Sequence, residues 1–266
     1  TGAVTGCQSM TVVEESKNQI APAGIATVQT PLKRFLSDYC ESKIAVGAFF
    51  IVAIIVFVAV FSPLLAPTDP YDLTQVTVED KTLPPGEVML SGITAHLGTD
   101  GAGRDMMSSI IYGLRISLTV GIGSGVVALL IGVSVGLLAA YAGGRVDAVI
   151  MRIVDIQLSF PAILIALVLL ATLGKGVDKT IIALIVVQWA YYARTVRGSA
   201  LVERRKEYIE SAICLALSRK RIIFGHLFPN CVAPIIVVGT MQTAHAIALE
   251  ATLSFLGLVL PQTEPS

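Results

Sequence analysis

Five apolar segments separated by polar stretches dominate the pattern of this chain. They cover residues 44–65, 116–140, 150–173, 180–193 and 231–249. A helix of about 20 apolar residues spans the hydrocarbon core of a bilayer, and the first segment has 22. The fourth segment is expected to continue as a helix past Arg194 and Arg197, and Pro161 is expected to kink the third. The pattern predicts an all-α, polytopic membrane helix bundle.

The polar stretches divide this bundle into parts. Residues 1–30 are small, polar and aperiodic, and we expect them to form a disordered tail. Residues 31–66 contain the first transmembrane helix, and residues 67–111 form a proline-rich acidic connector that ends in an interfacial helix at about 104–113. Residues 112–266 form the core with helices 2–5.

A short amphipathic segment, residues 207–218, joins the fourth and fifth apolar segments. Its apolar residues recur at helical spacing and are expected to form one stripe: Tyr208, Ile209, Ala212, Ile213 and Ala216. Acidic residues near its start and basic residues after its end complement the helix dipole. Its middle is built from small residues, which suit a protein groove better than a lipid surface. The segment therefore predicts a helix on which a partner docks.

Composition and charge set the class and the orientation. The chain is 54% hydrophobic and 14% charged, whereas soluble domains are about a quarter charged. Its net charge of zero gives no reason to expect a nucleic-acid partner. Fourteen of the 19 basic residues fall on one side of the predicted topology, which makes that side cytoplasmic. The amino terminus and residues 207–218 are then cytoplasmic, and connector 67–111 is external.

Catalytic and metal-binding patterns are missing from the sequence. Lys179-Thr180 follows Asp178 rather than the glycine of a phosphate-binding loop, so nucleotide hydrolysis by this chain alone is not expected. The three histidines are far apart and are expected to be structural: His96, His226 and His245. The four cysteines lack metal-ligand spacing and are expected to be unpaired: Cys7, Cys40, Cys214 and Cys231. We therefore predict that the chain is not an enzyme by itself.

Two further features concern the membrane segments. Gly121-x-x-x-Gly125 and Gly132-x-x-x-Gly136 predict close helix packing. An acid such as Glu250 at the end of an apolar segment is often functional. The alternative is that Glu250 lies at the outer interface, hydrogen-bonded to neighbouring backbone.

The segment around Glu210-Ser211-Ala212, with Ala216 and then Pro229, resembles the Glu-Ala-Ala-x-x-x-Gly…Leu-Pro loop of bacterial ATP-binding-cassette importer permeases. Serine replaces the middle alanine, alanine the glycine, and Phe228 the leucine. Other stretches resemble the C-type permease of oligopeptide and dipeptide importers. These are 97–105, Tyr112-Gly113-x-Arg115-x-Ser117-Leu118, Ser159-Phe160-Pro161, Arg194-x-x-Arg197 and residues 250–258.

This resemblance implies a type I importer permease in the bacterial cytoplasmic membrane, with a sixth helix expected beyond residue 266. It implies a coupling helix at 207–218, seated in a groove of a cytoplasmic ATPase. The coupling residues carried over are Glu207, Tyr208, Glu210, Ser211, Ala212, Leu215, Ala216, Leu217 and Arg219. The implied partners are a homologous second permease, two ATPase subunits that hold ATP and Mg, an extracytoplasmic substrate-binding protein, and the lipid bilayer. No cofactor is expected in this chain.

The cargo implied by the resemblance is peptide, but the same permease pattern also serves nickel importers. Nickel or another small solute therefore remains an alternative cargo. A stand-alone channel or secondary transporter is the other alternative, and it predicts charges along a pore inside the membrane. The cores of the first, second, fourth and fifth apolar segments hold no acid and no lysine, which favours the importer subunit.

Overall fold

The computed structural model describes residues 39–70, 72 and 77–257. Regular structure in these residues is helical, apart from two isolated β-bridges, Val88–Thr94 and Thr99–Asp105. The predicted tail at 1–30 and the residues that would lead into a sixth helix lie outside the described ranges. The prediction of an all-α bundle is confirmed for the described part.

Within the described residues, the α-helices follow in this chain order. They are α1 Lys43–Val60, α2 Ser62–Leu65, α3 Met106–Ala142, α4 Gly144–Leu158, α5 Ala162–Leu173, α6 Val177–Arg204, α7 Glu207–Cys214, α8 Arg219–Ile222 and α9 Phe228–Phe255. A 3₁₀ turn lies at Val78–Asp80, and a π-helical segment, Ile223–Leu227, joins α8 to α9. The chain divides into two compact units, Thr1–Val52 and Ala53–Ser266.

In the described part of the first unit, the Tyr39 hydroxyl donates to the Ala45 carbonyl oxygen at 2.9 Å. The Tyr39 ring meets the Phe49 ring edge-on at a centroid distance of 6.5 Å. The second unit contains α3 to α9 and the connector, and all interhelical packing described below lies within it.

Among the residues that the structure describes, three helical stretches are long and apolar enough to cross a membrane: Lys43–Val60, Met106–Ala142 and the continuous Arg219–Phe255. The pair α4 and α5 adds a fourth if it is counted as one broken span. Helix α6 has charges near both ends, and its uncharged residues 180–193 rise about 21 Å along the axis. All five predicted apolar segments are helical, but α6 has only this short uncharged middle.

One predicted boundary is wrong, and the bend expected at Pro161 is present but larger than a kink. The interfacial helix at 104–113 is not separate, because it is the first part of the 37-residue helix α3. Asp105 caps that helix by accepting from the Ser108 backbone N–H at 2.8 Å, and no proline follows to end it. The predicted kink at Pro161 is a break, since α4 and α5 diverge by 86°. Proline lacks an N–H and crowds the preceding turn, so the helix stops at Leu158 and restarts at Ala162.

The core is formed where α3 lies against α6 and α9. A Cβ added at Gly136 would lie 2.6 Å from the Ala193 carbonyl oxygen of α6. One added at Gly121 would lie 2.6 Å from the Ile247 Cγ1 atom of α9. Both distances are far below van der Waals contact, so only glycine permits this approach. The prediction that the two Gly-x-x-x-Gly pairs serve helix packing is confirmed.

The connector is an ordered loop in its described part. The buried Asp80 carboxylate accepts from the Leu90 N–H at 2.9 Å and from the Thr77 hydroxyl. Near the start of the loop, the Thr68 N–H and hydroxyl lie 3.1 and 3.0 Å from the Ser108 Oγ atom at the beginning of α3. These contacts tie the loop to the end of α3 that lies away from α7.

Candidate functional site

Helix α7 is held against the bundle by one narrow face. Ile209 and Ala212 are 1% and 5% exposed, and they form a cluster with Ile222 of α8. Tyr141 at the end of α3 and Leu217 after α7 pack on the same cluster. These side chains anchor the helix, so two of the predicted coupling residues, Ala212 and Leu217, face the protein's own interior.

Polar contacts fix the start of α7 to the end of α6. The Tyr208 hydroxyl donates to Glu203 Oε2 at 2.6 Å, and Lys206 Nζ donates to Glu203 Oε1 at 2.7 Å. Partial burial, together with the neighbouring Glu203 carboxylate, raises the pKa of Tyr208 to about 12. The phenol is therefore a neutral hydrogen-bond donor throughout the physiological pH range.

A basic side chain next to this junction links α6 to α3. Arg204 Nη1 donates to the Ala140 carbonyl oxygen at 2.8 Å, which satisfies one of the free carbonyls at the end of α3. The Arg204 guanidinium also lies 5.8 Å from the centre of the Tyr141 ring, within cation–π range. The end of α6 thus holds both α3 and α7.

The helix ends at Cys214, earlier than the predicted 218, because the backbone reverses at Ala216. Ala216 has a φ of +53°. The Leu217 N–H donates to the Ala212 carbonyl oxygen at 3.2 Å, and the Ala216 N–H donates to that of Ile213 at 2.9 Å. This pair of bonds with a left-handed residue is the Schellman motif, in which that position is usually glycine. Residues 215–218 are therefore a turn.

The opposite face of this segment is open. Leu215 is 74% exposed and Ile213 54% exposed. The remaining exposed members of the predicted set are Glu207, Tyr208, Glu210, Ser211, Ala216 and Arg219. The predicted single stripe is wrong, because Ile209 and Ala212 point inward while the other three stripe residues are exposed. We call the exposed residues of 207–219 the outer face; it combines apolar and charged side chains.

Ion pairs between α4 and α6 were not predicted from the sequence. Arg197 contacts the Asp147 carboxylate through Nε at 3.0 Å and Nη2 at 2.5 Å. Arg194 pairs with Asp155 one helical turn away. The spacing of three residues between Arg194 and Arg197 is the one sign of these two ion pairs in the sequence. The two hydrogen bonds from the Arg197 guanidinium to the Asp147 carboxylate hold α4 along α6 in a fixed register.

The isolated polar residues have specific surroundings. Glu250 is 2% exposed and accepts from the Ser117 hydroxyl of α3 at 2.9 Å. The alternative for Glu250, a backbone partner at the outer interface, is not what the structure shows, because its partner is a side chain and its carboxylate is buried in the bundle. His245 Nδ1 lies 3.4 Å from Gln242 Oε1. Within the described residues, no group of three His, Cys, Asp or Glu side chains could hold a metal, and Cys40, Cys214 and Cys231 are unpaired.

Comparison with known proteins identifies two matching regions. Residues 132–266 match the family of binding-protein-dependent transport system inner membrane components. Residues 30–85 match the N-terminal transmembrane domain of oligopeptide transport permease C. The first match includes α7 and the whole candidate site.

Several curated proteins resemble most of the chain. A di/tripeptide transport system permease of Pseudomonas aeruginosa is 37% identical over 88% of this chain and 77% of its own length. An oligopeptide transport system permease of Bacillus subtilis is 34% identical over 91% of this chain and 75% of its own. A glutathione transport system permease of Pectobacterium atrosepticum is 37% identical, with shares of 87% and 74%.

Proposed function

The chain belongs to the inner-membrane permeases of binding-protein-dependent, ATP-binding-cassette transport systems, and from this membership we propose that it carries peptides into the cell. It is a multi-pass inner-membrane protein of a family that transports rather than catalyses, and it works in a membrane complex with other components of the importer. Its relatives are named for di- and tripeptides, oligopeptides and glutathione. Peptide cargo is the chemistry that these names share.

In this proposal, α7 is the coupling helix. The observation that carries it is the division of the segment into a buried anchor, Ile209 and Ala212, and an exposed apolar tip, Ile213 and Leu215. A helix fixed to the bundle on one side and open on the other can pass a partner's movement to the bundle. The partner would be one of two ATPase subunits that bind ATP with Mg. A homologous second permease would supply the other half of the path.

The proposed orientation places the amino terminus and α7 in the cytoplasm. Fourteen of the 19 basic residues lie on the side that includes α7, and this excess supports a cytoplasmic position. The connector between α2 and α3 is then external and faces the substrate-binding protein that delivers the cargo.

Transport assays in a strain that lacks its own peptide importers test the cargo. The chain is expressed with its partner subunits, and uptake of labelled dipeptides, oligopeptides and nickel is compared. We expect ATP-dependent uptake of peptide and no uptake of nickel above background. Nickel uptake without peptide uptake would reject peptide cargo, and uptake by this chain alone without ATP would favour a channel or secondary transporter.

A charge placed on the outer face tests the coupling helix. Leu215→Asp puts a carboxylate at a side chain that is 74% exposed, so the permease itself should fold normally. Burying that charge in an ATPase groove is unfavourable, and we expect recovery of the ATPase subunits in pull-downs to fall about tenfold or more. Peptide uptake should fall in parallel.

The matched control is Val88→Asp in the connector, where the side chain is 62% exposed. This variant should retain the ATPase subunits in the same pull-down. If Leu215→Asp and the unmodified chain recover equal amounts of ATPase, α7 is not the docking helix. That result would not change the interpretation of the uptake assay.

A further inference from the structure

A small, mainly apolar cavity with a few polar side chains in its wall opens within the membrane part of the bundle, between α5, α6 and α9. Its volume is about 290 Å³, and its walls include Ala162, Val187 and Leu249. Three amide or imidazole side chains also line it: Gln188, Gln242 and His245. Gln188 lies in the uncharged middle of α6, and Gln242 lies about 21 Å along α9 from its start. The cavity is therefore at membrane depth.

Gln188 is the unusual member of this group. Its side chain is 1% exposed, yet among the described residues neither its Oε1 nor its Nε2 atom has a hydrogen-bond partner. Buried amides are nearly always hydrogen-bonded, because losing water without a replacement partner is unfavourable. Both amide atoms are enclosed by protein, so a molecule in the cavity hydrogen-bonds to them when the Gln188 side chain turns into the cavity.

The neighbouring groups limit what that molecule can be. Gln242 is 6% exposed and shares a contact of 3.4 Å with His245. In the described part of the chain, no Asp, Glu, Lys or Arg lines the cavity, and the nearby Glu250 carboxylate accepts from Ser117 of α3. The site thus offers neutral donors and acceptors rather than a charge. Each carboxamide presents one C=O and one NH₂ group, which together match the N–H and C=O of a peptide group.

We propose that this cavity is a station on the translocation path, where Gln188 and Gln242 hydrogen-bond a backbone amide of the peptide being carried. The inference rests on the proposed function and adds to it the residues that touch the cargo. Neutral amide recognition is independent of the cargo's side chains and of their charge. A cavity of this size lies at the small end of ligand pockets, so it holds a short backbone segment, not a whole oligopeptide.

Gln188→Leu tests the proposal in the assembled transporter, reconstituted in vesicles with its partner subunits. The substitution removes an unpartnered buried amide, so the thermal stability of the complex should be unchanged or higher. Loss of one hydrogen bond to the cargo should lower the uptake rate of trialanine about five- to tenfold. Gln188→Asn, which keeps the amide, should restore part of that loss. If the role of Gln188 were purely structural, Gln188→Leu would instead lower the thermal stability and leave the discrimination between peptides unchanged.

Backbone-methylated trialanine identifies the contact more directly. An N-methyl group removes the peptide N–H, so the unmodified transporter should favour trialanine over the methylated peptide, and Gln188→Leu should reduce this preference at least threefold. The delivering binding protein is the same in both transporters, and its own discrimination cancels in the comparison. Thr240→Val is the matched control, since that exposed hydroxyl of α9 donates to the Val237 carbonyl oxygen of its own helix. It should leave rate and preference unchanged.

The outcomes separate this inference from the function on which it rests. Suppose that the unmodified transporter takes up peptide and that Gln188→Leu has the same uptake rate and the same preference. This result would overturn the role of the cavity and leave the proposed function standing. Failure of the unmodified transporter to move any peptide would overturn the proposed function, and the inference with it.

Discussion

Ala216 is one of two non-glycine residues with a positive φ in the described part of the chain, the other being Thr82. Alanine is the best helix former, yet here it takes a left-handed conformation and closes α7. The importer permeases that the sequence resembles carry glycine at the matching position. The sequence therefore shows that residue 216 differs from the family pattern. It does not reveal the helix end, because nothing in the local pattern predicts that α7 stops at Cys214 and that Ala216 takes a left-handed conformation.

Ala216→Gly is expected to stabilise the permease. It relieves a left-handed conformation that costs an L-residue about 1–2 kcal/mol, while adding about 0.4–1 kcal/mol of unfolded-state entropy. The net gain in the free energy of unfolding should be about 0.5–1 kcal/mol. Thermal unfolding of the purified chain in detergent measures it.

The same chemical change inside a helix should act in the opposite direction. Ala148→Gly, at an exposed site within α4, should lower stability by about 0.5–1 kcal/mol. A loss of stability in both variants would show that residue 216 carries no conformational strain in solution.

At the scale of elements, α3 lies so close to α6 that a methyl group cannot be inserted between them. A Cβ at Gly132 would lie 2.6 Å from the Trp189 carbonyl oxygen, whereas one at Gly123 meets no atom within 4 Å. Gly132→Ala should therefore destabilise the bundle by about 1–3 kcal/mol through overpacking. Gly123→Ala should be neutral or slightly stabilising.

The single tryptophan provides the measurement. Trp189 Nε1 donates to Gln157 Oε1 at 3.0 Å, so its fluorescence reports the packing of α4, α6 and α3 together. We expect a shifted emission maximum and a lower unfolding temperature for Gly132→Ala alone. If Gly123→Ala has the same effect as Gly132→Ala, close approach is not the reason for glycine in α3.

The helices could be predicted from the sequence because each apolar run is continuous and long. The 86° break after Leu158 could not, since proline in a membrane helix more often gives a mild kink. Pro161 stops the helix, and the pairing of Asp147 with Arg197 of α6, a contact across 50 residues, holds α4 in its own direction. A linear pattern does not reveal which distant charges meet. The same holds for the cavity, whose residues come from three helices.

At the scale of the whole molecule, the proposed orientation can be tested with the protein's own thiols. Cys214 on α7 is exposed and unpaired. A variant that keeps only this cysteine should react with a membrane-impermeant maleimide in inside-out vesicles and not in spheroplasts. The variant requires replacement of Cys7, Cys40 and Cys231.

A cysteine placed in the connector should give the reverse result. Val88→Cys in a background without other cysteines should be labelled in spheroplasts and protected in inside-out vesicles. Labelling of both sites from the same side would contradict the predicted topology, and exchange of the two patterns would invert it.

The unbroken helical stretch from Arg219 to Phe255 would transmit a movement at α7 to the middle of the membrane. Ile222 packs on α7, and Gln242 lies 20 residues further on, about 30 Å along a helical rod. A tilt of about 5° at the α7 end would displace the Gln242 side chain by about 2–3 Å. That travel is comparable to the length of one hydrogen bond. A slight rotation below the membrane is therefore enough to make or break the hold on a peptide group within it.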